Sequence, residues 1–136
     1  MSEVIVYTNE MGGTSVCYPT GELPIDVLQA RAVPEGVQSF IIAEDTLPAH
    51  ANDFFNAWEQ TDGVVTVNFS KAQTLTKARL RFERTALLAA QDVLFQRALE
   101  TGGDTAAIVA EKQRLRDITN LPDACTTLAE LRALHC

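Results

Sequence analysis

The fold is decided by the stretch SKAQTLTKARLRFERTALLAAQDVLFQRALE (residues 70–100), which continues as TGGD (101–104) and TAAIVAEKQRLRDITN (105–120). No Gly or Pro interrupts residues 71–100, and Ala, Leu, Arg, Gln, Lys and Glu dominate them. These are the strongest helix formers. The Gly102–Gly103 pair then stops the helix, because glycine favours helix ends over interiors. The stretch therefore predicts a long helix, a glycine break and a shorter return helix.

Both helices carry start signals. Ser70 followed three residues later by Gln73 predicts a capping box for the long helix. Asp104 is placed to cap the return helix, predicted over Thr105–Thr119. The inner face of the return helix is expected to comprise Ile108, Val109, Leu115 and Ile118.

Two apolar stripes run along the long helix, since residues three and four apart share a face. The first stripe comprises Leu75, Ala78, Phe82, Ala86, Ala89 and Val93. The second comprises Leu80, Leu87 and Leu94, widened by Leu88, Phe95, Ala98 and Leu99. At ~1.5 Å per residue the rod is ~45 Å long, about twice the length of the return helix. The first half of the long helix, around Phe82, is therefore expected to pack either on the amino-terminal part of the chain or on another chain.

In parts of residues 1–69 the side chains alternate between the two sides of an extended chain, as is typical of β-strands. The pattern predicts strands at Val4–Thr8, Thr14–Tyr18, Val37–Ala43 and Val64–Phe69, a short helix beginning at Pro24 and a polar loop over Glu44–Asp53. Thr127 and Glu130 form a second capping box, before a short terminal helix. The predicted class is α+β: a small antiparallel sheet domain with one short helix (1–69), followed by a helical hairpin and a terminal helix (70–136).

Charge divides at the same boundary. Residues 1–69 hold ten acidic residues and one base, a net −9, whereas residues 70–136 hold ten bases and eight acids, a net +2. The acidic part would repel nucleic acid, although solubility alone also explains its charge. Apolar runs are far shorter than the ~20 residues of a membrane span, and no secretion signal is expected. Three widely spaced cysteines (Cys17, Cys125 and Cys136) argue against a disulfide framework and favour synthesis in a reducing cytosol.

Residues for catalysis or metal binding are sparse. His50 lies near Asp45 and Asp53, but a zinc site requires three or four closely spaced ligands, so an exposed loop histidine is the favoured interpretation. Nucleophile-elbow, phosphate-loop and dinucleotide motifs are missing from the sequence. We expect no enzyme, no catalytic residues, no cofactor and no bound metal.

One face of the long helix is basic, with Lys77, Arg81 and Arg84 aligned and Arg79 beside them. Such a stripe can contact nucleic acid, but a solvated face, or one that docks onto the acidic domain before it, is the favoured interpretation. Among Phe54, Phe55 and Trp58, core packing is the first expectation, and Trp58 is also a candidate anchor for a partner.

The chain resembles a family of small proteins associated with the tails of tailed bacteriophages. In that family a basic helix of the form LR-x-x-R-x-x-LLAALDV is followed by RA-x-x-x-GD and K-x-x-LRD. The matching residues here are Leu80-Arg81, Arg84, Leu87–Ala90, Asp92-Val93, Arg97-Ala98, Gly103-Asp104, Lys112 and Leu115-Arg116-Asp117. The amino-terminal part is similar too, in VIVYTNE, VPEGVQSFIIAEDTLPA, FFNAWE and VTVNFSKA. The doubled glycine departs from the single one of the pattern.

The resemblance implies a non-enzymatic tail accessory protein, made in the host cytoplasm and retained in the virion tail, that binds tail-tip or tail-fibre subunits through its hairpin and self-associates. A tail-fibre assembly chaperone absent from the finished virion stays open, as does, less favoured, a small nucleic-acid-binding regulator. No membrane association is expected. The candidate partner-binding residues are Leu80, Arg81, Arg84, Leu87, Leu94, Phe95 and Trp58.

Overall fold

A computed structural model describes residues 2–136 and confirms the α+β class. The chain divides into two compact units, Met1–Ala72 and Gln73–Cys136. The boundary between them lies three residues beyond the one predicted from the sequence, just inside the long helix.

The amino-terminal unit is built on a three-stranded antiparallel sheet. Its strands are β1 (Glu3–Thr8), β2 (Thr14–Cys17) and β3 (Ser39–Ala43), in the order β2-β1-β3. β1 is the central strand, since it pairs with β2 along one edge and with β3 along the other. Its residues Val4, Ile5 and Val6 are buried. The hairpin between β1 and β2 turns at Gly12, whose φ of 80° favours glycine.

A separate two-stranded sheet follows, and its first strand is not among those predicted from the sequence. β4 (Trp58–Thr61) pairs antiparallel with β5 (Val64–Val67). The fourth predicted strand is therefore real, but it belongs to this second hairpin and not to the main sheet, and it ends before Phe69. The sequence does not predict β4, because WEQT carries little apolar alternation, although the Asp62–Gly63 turn that joins the strands is a strong hairpin signal.

The two faces of the main sheet are covered by different elements. On one face Val4 and Val6 pack with Trp58 and Val65, which forms the main core of this unit. On the other face lies α1 (Ile25–Ala32), where the Gln29 amide donates to the Ser39 hydroxyl at 2.8 Å. Pro24 precedes α1 and does not belong to it, a one-residue difference from the prediction. The predicted polar loop contains two short 3₁₀ segments, Glu44–Thr46 and Asn52–Ala57.

The long helix, α2, spans Phe69–Thr101. Its start is capped by Asn68, whose side-chain oxygen accepts from the backbone N–H of Lys71 at 3.0 Å. The predicted Ser70–Gln73 capping box is wrong in its position, because α2 begins at Phe69, so that Ser70 lies within the helix and Asn68 is the cap. The Gln73 amide donates to the carbonyl of Pro122 at 2.9 Å. The Asn68 amide also donates to the Glu59 carboxylate, which makes Asn68 the better cap.

The glycine break is confirmed. Gly102 adopts a φ of 68°, and the N–H of Gly103 donates to the Ala98 carbonyl at 2.8 Å, which closes the end of α2. Asp104 then accepts from the N–H of Ala106, the first residue of α3 (Ala106–Asp117). Of the predicted inner face, Leu115 and Ile118 are buried, whereas Val109 is about half exposed and does not belong to it.

The chain ends in a 3₁₀ segment (Ile118–Ala124) and the short helix α4 (Leu128–Ala133). The second capping box is confirmed, since the Thr127 hydroxyl oxygen accepts from the N–H of Glu130. The buried apolar side chains of the carboxy-terminal unit come from α2, α3, the 3₁₀ segment and α4: Leu80, Leu115, Ile118, Pro122 and Leu131.

Candidate functional site: the uncovered surface of the long helix

One of the two apolar stripes of α2 is left uncovered. We call it the outer face; it comprises Ala78, Phe82, Ala86, Ala89 and Val93, all of which are exposed. Phe82 keeps 83% of its surface accessible. The carboxy-terminal unit, which contains Phe82, therefore does not cover it. Cover by the amino-terminal part of the chain or by another chain stays a prediction.

The return helix explains which side of α2 is covered. Arg84 donates to the backbone carbonyls of Leu115 and Arg116, the latter at 2.8 Å. Further along, the Lys112 ammonium lies 2.6 Å from the Asp92 carboxylate and 5.2 Å from the centre of the Phe95 ring. These contacts hold α3 against the side of α2 that carries Arg84 and Phe95, roughly opposite the outer face.

A second exposed apolar surface flanks the outer face. Leu87 and Leu94 are 42% and 45% exposed, and because they lie seven residues apart they line up along one edge of α2. We call this pair the leucine flank. An exposed run of large apolar side chains on one element is typical of a protein-binding surface.

The candidate partner-binding residues therefore separate into two groups. Leu80 is 0% exposed and Trp58 is 1% exposed, so neither can contact a partner directly, which corrects their assignment. Arg84 and Phe95 are committed to α3. Arg81, Leu87 and Leu94 lie at the surface.

Trp58 is buried for a clear reason. Its indole N–H donates to the carbonyl of Ala51 at 3.1 Å, and its ring lies 5.0 Å from that of Phe55. The indole thus satisfies a backbone acceptor inside the core of the amino-terminal unit. Core packing, the first expectation for Phe54 and Trp58, is confirmed, whereas Phe55 is 40% exposed and is only partly packed.

The basic stripe is mostly used within the carboxy-terminal unit. Lys77 pairs with Asp123 at 2.7 Å, Arg79 pairs with Glu83 at 2.9 Å, and Arg84 holds the carbonyls of α3. Among residues 2–136, Arg81 is the only one of the four that has neither an ion pair nor a side-chain hydrogen bond. A cation that is already bound to a carboxylate or a carbonyl is less available to a phosphate, which disfavours the regulator hypothesis.

Glu83 is the centre of the polar contacts beside the outer face. Its carboxylate accepts from Arg79 and lies 3.1 Å from the His135 ring nitrogen. Burial acts to raise the pKa of Glu83, but the hydrogen bonds from His135, Arg79 and the Cys136 backbone outweigh it, so the pKa lies below its ordinary value. Glu83 therefore stays ionised at neutral pH.

An open pocket of about 450 Å³ lies in the amino-terminal unit, lined in part by Thr14, Phe55 and Lys71. The Thr14 hydroxyl has no hydrogen-bond partner among residues 2–136, but it is buried and therefore shielded from a ligand in the pocket. Lys71 is already paired with Glu59 at 2.8 Å. The pocket thus presents no charged group free to hold a ligand.

Across residues 2–136, no group of three or more His, Cys, Asp and Glu side chains is placed to hold a metal ion. Within the same residues, no helix is long and apolar enough to cross a membrane. The three cysteines are free thiols, and burial raises the pKa of Cys125 and of Cys136.

No family model, curated protein or solved structure matches the chain.

Proposed function

We propose that this protein is a non-enzymatic accessory component of a bacteriophage tail, which binds tail-tip or tail-fibre subunits through its helical hairpin. The observation that carries the proposal is the apolar surface that α2 leaves uncovered, above all the leucine flank. The resemblance of the sequence to small tail-associated proteins supplies the class of partner.

The physical basis is the free energy of burying apolar surface. Removing apolar surface from water stabilises a complex by about 25 cal/mol per Å². Leu87 and Leu94 each leave nearly half of their surface to be buried in this way. A partner surface of apolar side chains would fit the leucine flank.

The first experiment is capture of purified tail-tip and tail-fibre subunits encoded beside this gene. The double variant Leu87→Ser/Leu94→Ser is expected to lose capture by at least tenfold, because it removes the apolar contact without touching the buried core. Val64→Ser is the matched control, since Val64 is a similarly exposed apolar residue in the other unit. If the wild-type chain captures none of these subunits, or if both variants capture them as well as wild type, the proposal fails.

The second experiment separates a virion component from an assembly chaperone. Quantitative mass spectrometry of purified virions is expected to find this chain in a fixed ratio to the other tail proteins. Its absence from particles, together with capture of fibre subunits in solution, would reject the structural role and leave the chaperone.

A further inference from the structure

We propose that the outer face of α2 is covered by a second copy of this chain, with the two α2 helices packed antiparallel about a two-fold axis between Ala86 and Ala89. This inference concerns a different surface from the leucine flank and does not depend on the viral role. It rests on the order of residue sizes along the face, on the straight course of the face along the helix and on its limited length.

The order of sizes on the outer face is the same read in either direction. Phe82 and Val93 are large and lie at the ends, and Ala86 and Ala89 are small and lie in the middle. In an antiparallel pair Ala86 opposes Ala89 of the second copy, so the two backbones can approach closely. Phe82 then packs against Val93 of the second copy at both ends. A parallel pair would instead place two Phe82 rings at the same level and leave a gap between the smaller Val93 side chains.

The outer face also runs straight along the helix. Phe82 and Val93 are eleven residues apart, as are Ala78 and Ala89. Eleven residues complete almost a whole number of helical turns, so the stripe does not drift around the helix. Two helices can therefore stay in contact over the length of the face without strong supercoiling. The antiparallel arrangement also opposes their macrodipoles.

The length of the outer face determines how tightly the two copies are expected to bind each other. From Ala78 to Val93 it extends ~22 Å. A single helix pair of this length belongs with interfaces below ~1,200 Å², which are typical of weak and reversible complexes. The pair is therefore expected to form and dissociate with protein concentration.

Sedimentation velocity of the full chain over a concentration series, from about 5 μM to 1 mM, tests the pairing. We expect a reversible monomer–dimer equilibrium whose dissociation constant rises at least tenfold in Phe82→Ser, because Phe82 is exposed in the single chain and its loss should not unfold it. Leu99→Ser is the control, since Leu99 is exposed on α2 outside the outer face, and it should dimerise like wild type. A wild-type chain that stays monomeric at 1 mM, or a dimer unchanged by Phe82→Ser, overturns the proposal.

Orientation is tested by a spin label at Leu99→Cys, with the three native cysteines replaced by serine and the helix content checked by circular dichroism. About a two-fold axis between Ala86 and Ala89, the two Leu99 positions lie 23 residues apart along the helix direction, or about 35 Å. Pulsed electron resonance should report that distance. A distance well below about 25 Å would reject the antiparallel arrangement.

Loss of dimerisation in Phe82→Ser with tail-subunit capture intact would separate this surface from the proposed function.

Discussion

At Thr14 a hydroxyl group is buried with no hydrogen-bond partner among residues 2–136, and the residue is only 2% exposed. Leaving a buried polar group unpaired costs about 1–3 kcal/mol. Valine has nearly the same shape without the hydroxyl. We therefore expect Thr14→Val to leave the free energy of unfolding unchanged or to raise it by about 1 kcal/mol, measured by urea denaturation.

Thr66→Val is the control for this substitution. Thr66 is exposed on β5, so its hydroxyl is solvated and its replacement should change stability by less than about 0.5 kcal/mol. If Thr14→Val destabilised the protein by more than about 1 kcal/mol, the hydroxyl would have a partner that the geometry does not show.

Among the elements, the β4–β5 hairpin depends on one backbone conformation. Asp62 and Gly63 both have positive φ, and a Cβ at Gly63 would lie 3.1 Å from the Cβ of Phe40. Gly63→Ala should therefore lower the free energy of unfolding through both backbone strain and crowding. Gly36→Ala isolates the strain, because Gly36 also has positive φ but open space around it.

We expect Gly36→Ala to cost about 1 kcal/mol and Gly63→Ala about 1–2 kcal/mol more, by thermal or urea denaturation. Equal losses for the two variants would show that Phe40 moves aside without cost and that contact with Phe40 does not hold the hairpin in place.

The contact between α2 and the end of the chain is predicted to depend on pH. The pKa of Glu83 is lowered in the folded protein, so its contribution to stability is complete above the ordinary value of 4.5 and is lost as the pH falls through the folded pKa. The stability difference between wild type and Glu83→Gln should therefore narrow between about pH 5 and pH 3.

The matched comparison is Glu100→Gln, since Glu100 lies on the same helix but accepts only from an amide. Its stability difference should stay small and nearly constant over the same range. A difference for Glu83→Gln that does not change with pH would mean that the Arg79 and His135 contacts do not stabilise the ionised form.

How far the sequence predicts each element follows from the kind of interaction that forms it. Local signals succeeded at the Gly102–Gly103 break and at the Thr127 cap, where neighbouring residues decide the conformation. They failed at Ser70, because Asn68, whose amide also donates to Glu59 on β4, caps the helix instead. They did not predict β4, because the hydrogen bonds that form this strand come from its pairing with β5, and its composition is not typical of a strand.

In the whole molecule, the candidate site was only partly predictable. The sequence showed two apolar stripes and too short a return helix, which correctly indicated surplus apolar surface. It could not say which stripe α3 would cover, since both have suitable side chains. The hydrogen bonds from Arg84 to the backbone of α3 decide the matter, and such contacts have no sequence signature. Leu80, an expected partner-binding residue, is therefore buried, and Phe82, which is not among the expected residues, is exposed.

The pairing of two copies requires that Phe82 and the outer face are exposed in the single chain and become covered in the dimer. Hydroxyl-radical footprinting measures this directly, with buried Phe54 as the internal reference. In dilute protein Phe82 should be modified many times faster than Phe54, and it should become protected as the chain is concentrated. If Phe82 reacted as slowly as Phe54 in dilute protein, its own chain would cover it. If Phe82 reacted equally fast at every protein concentration, no second copy would cover it.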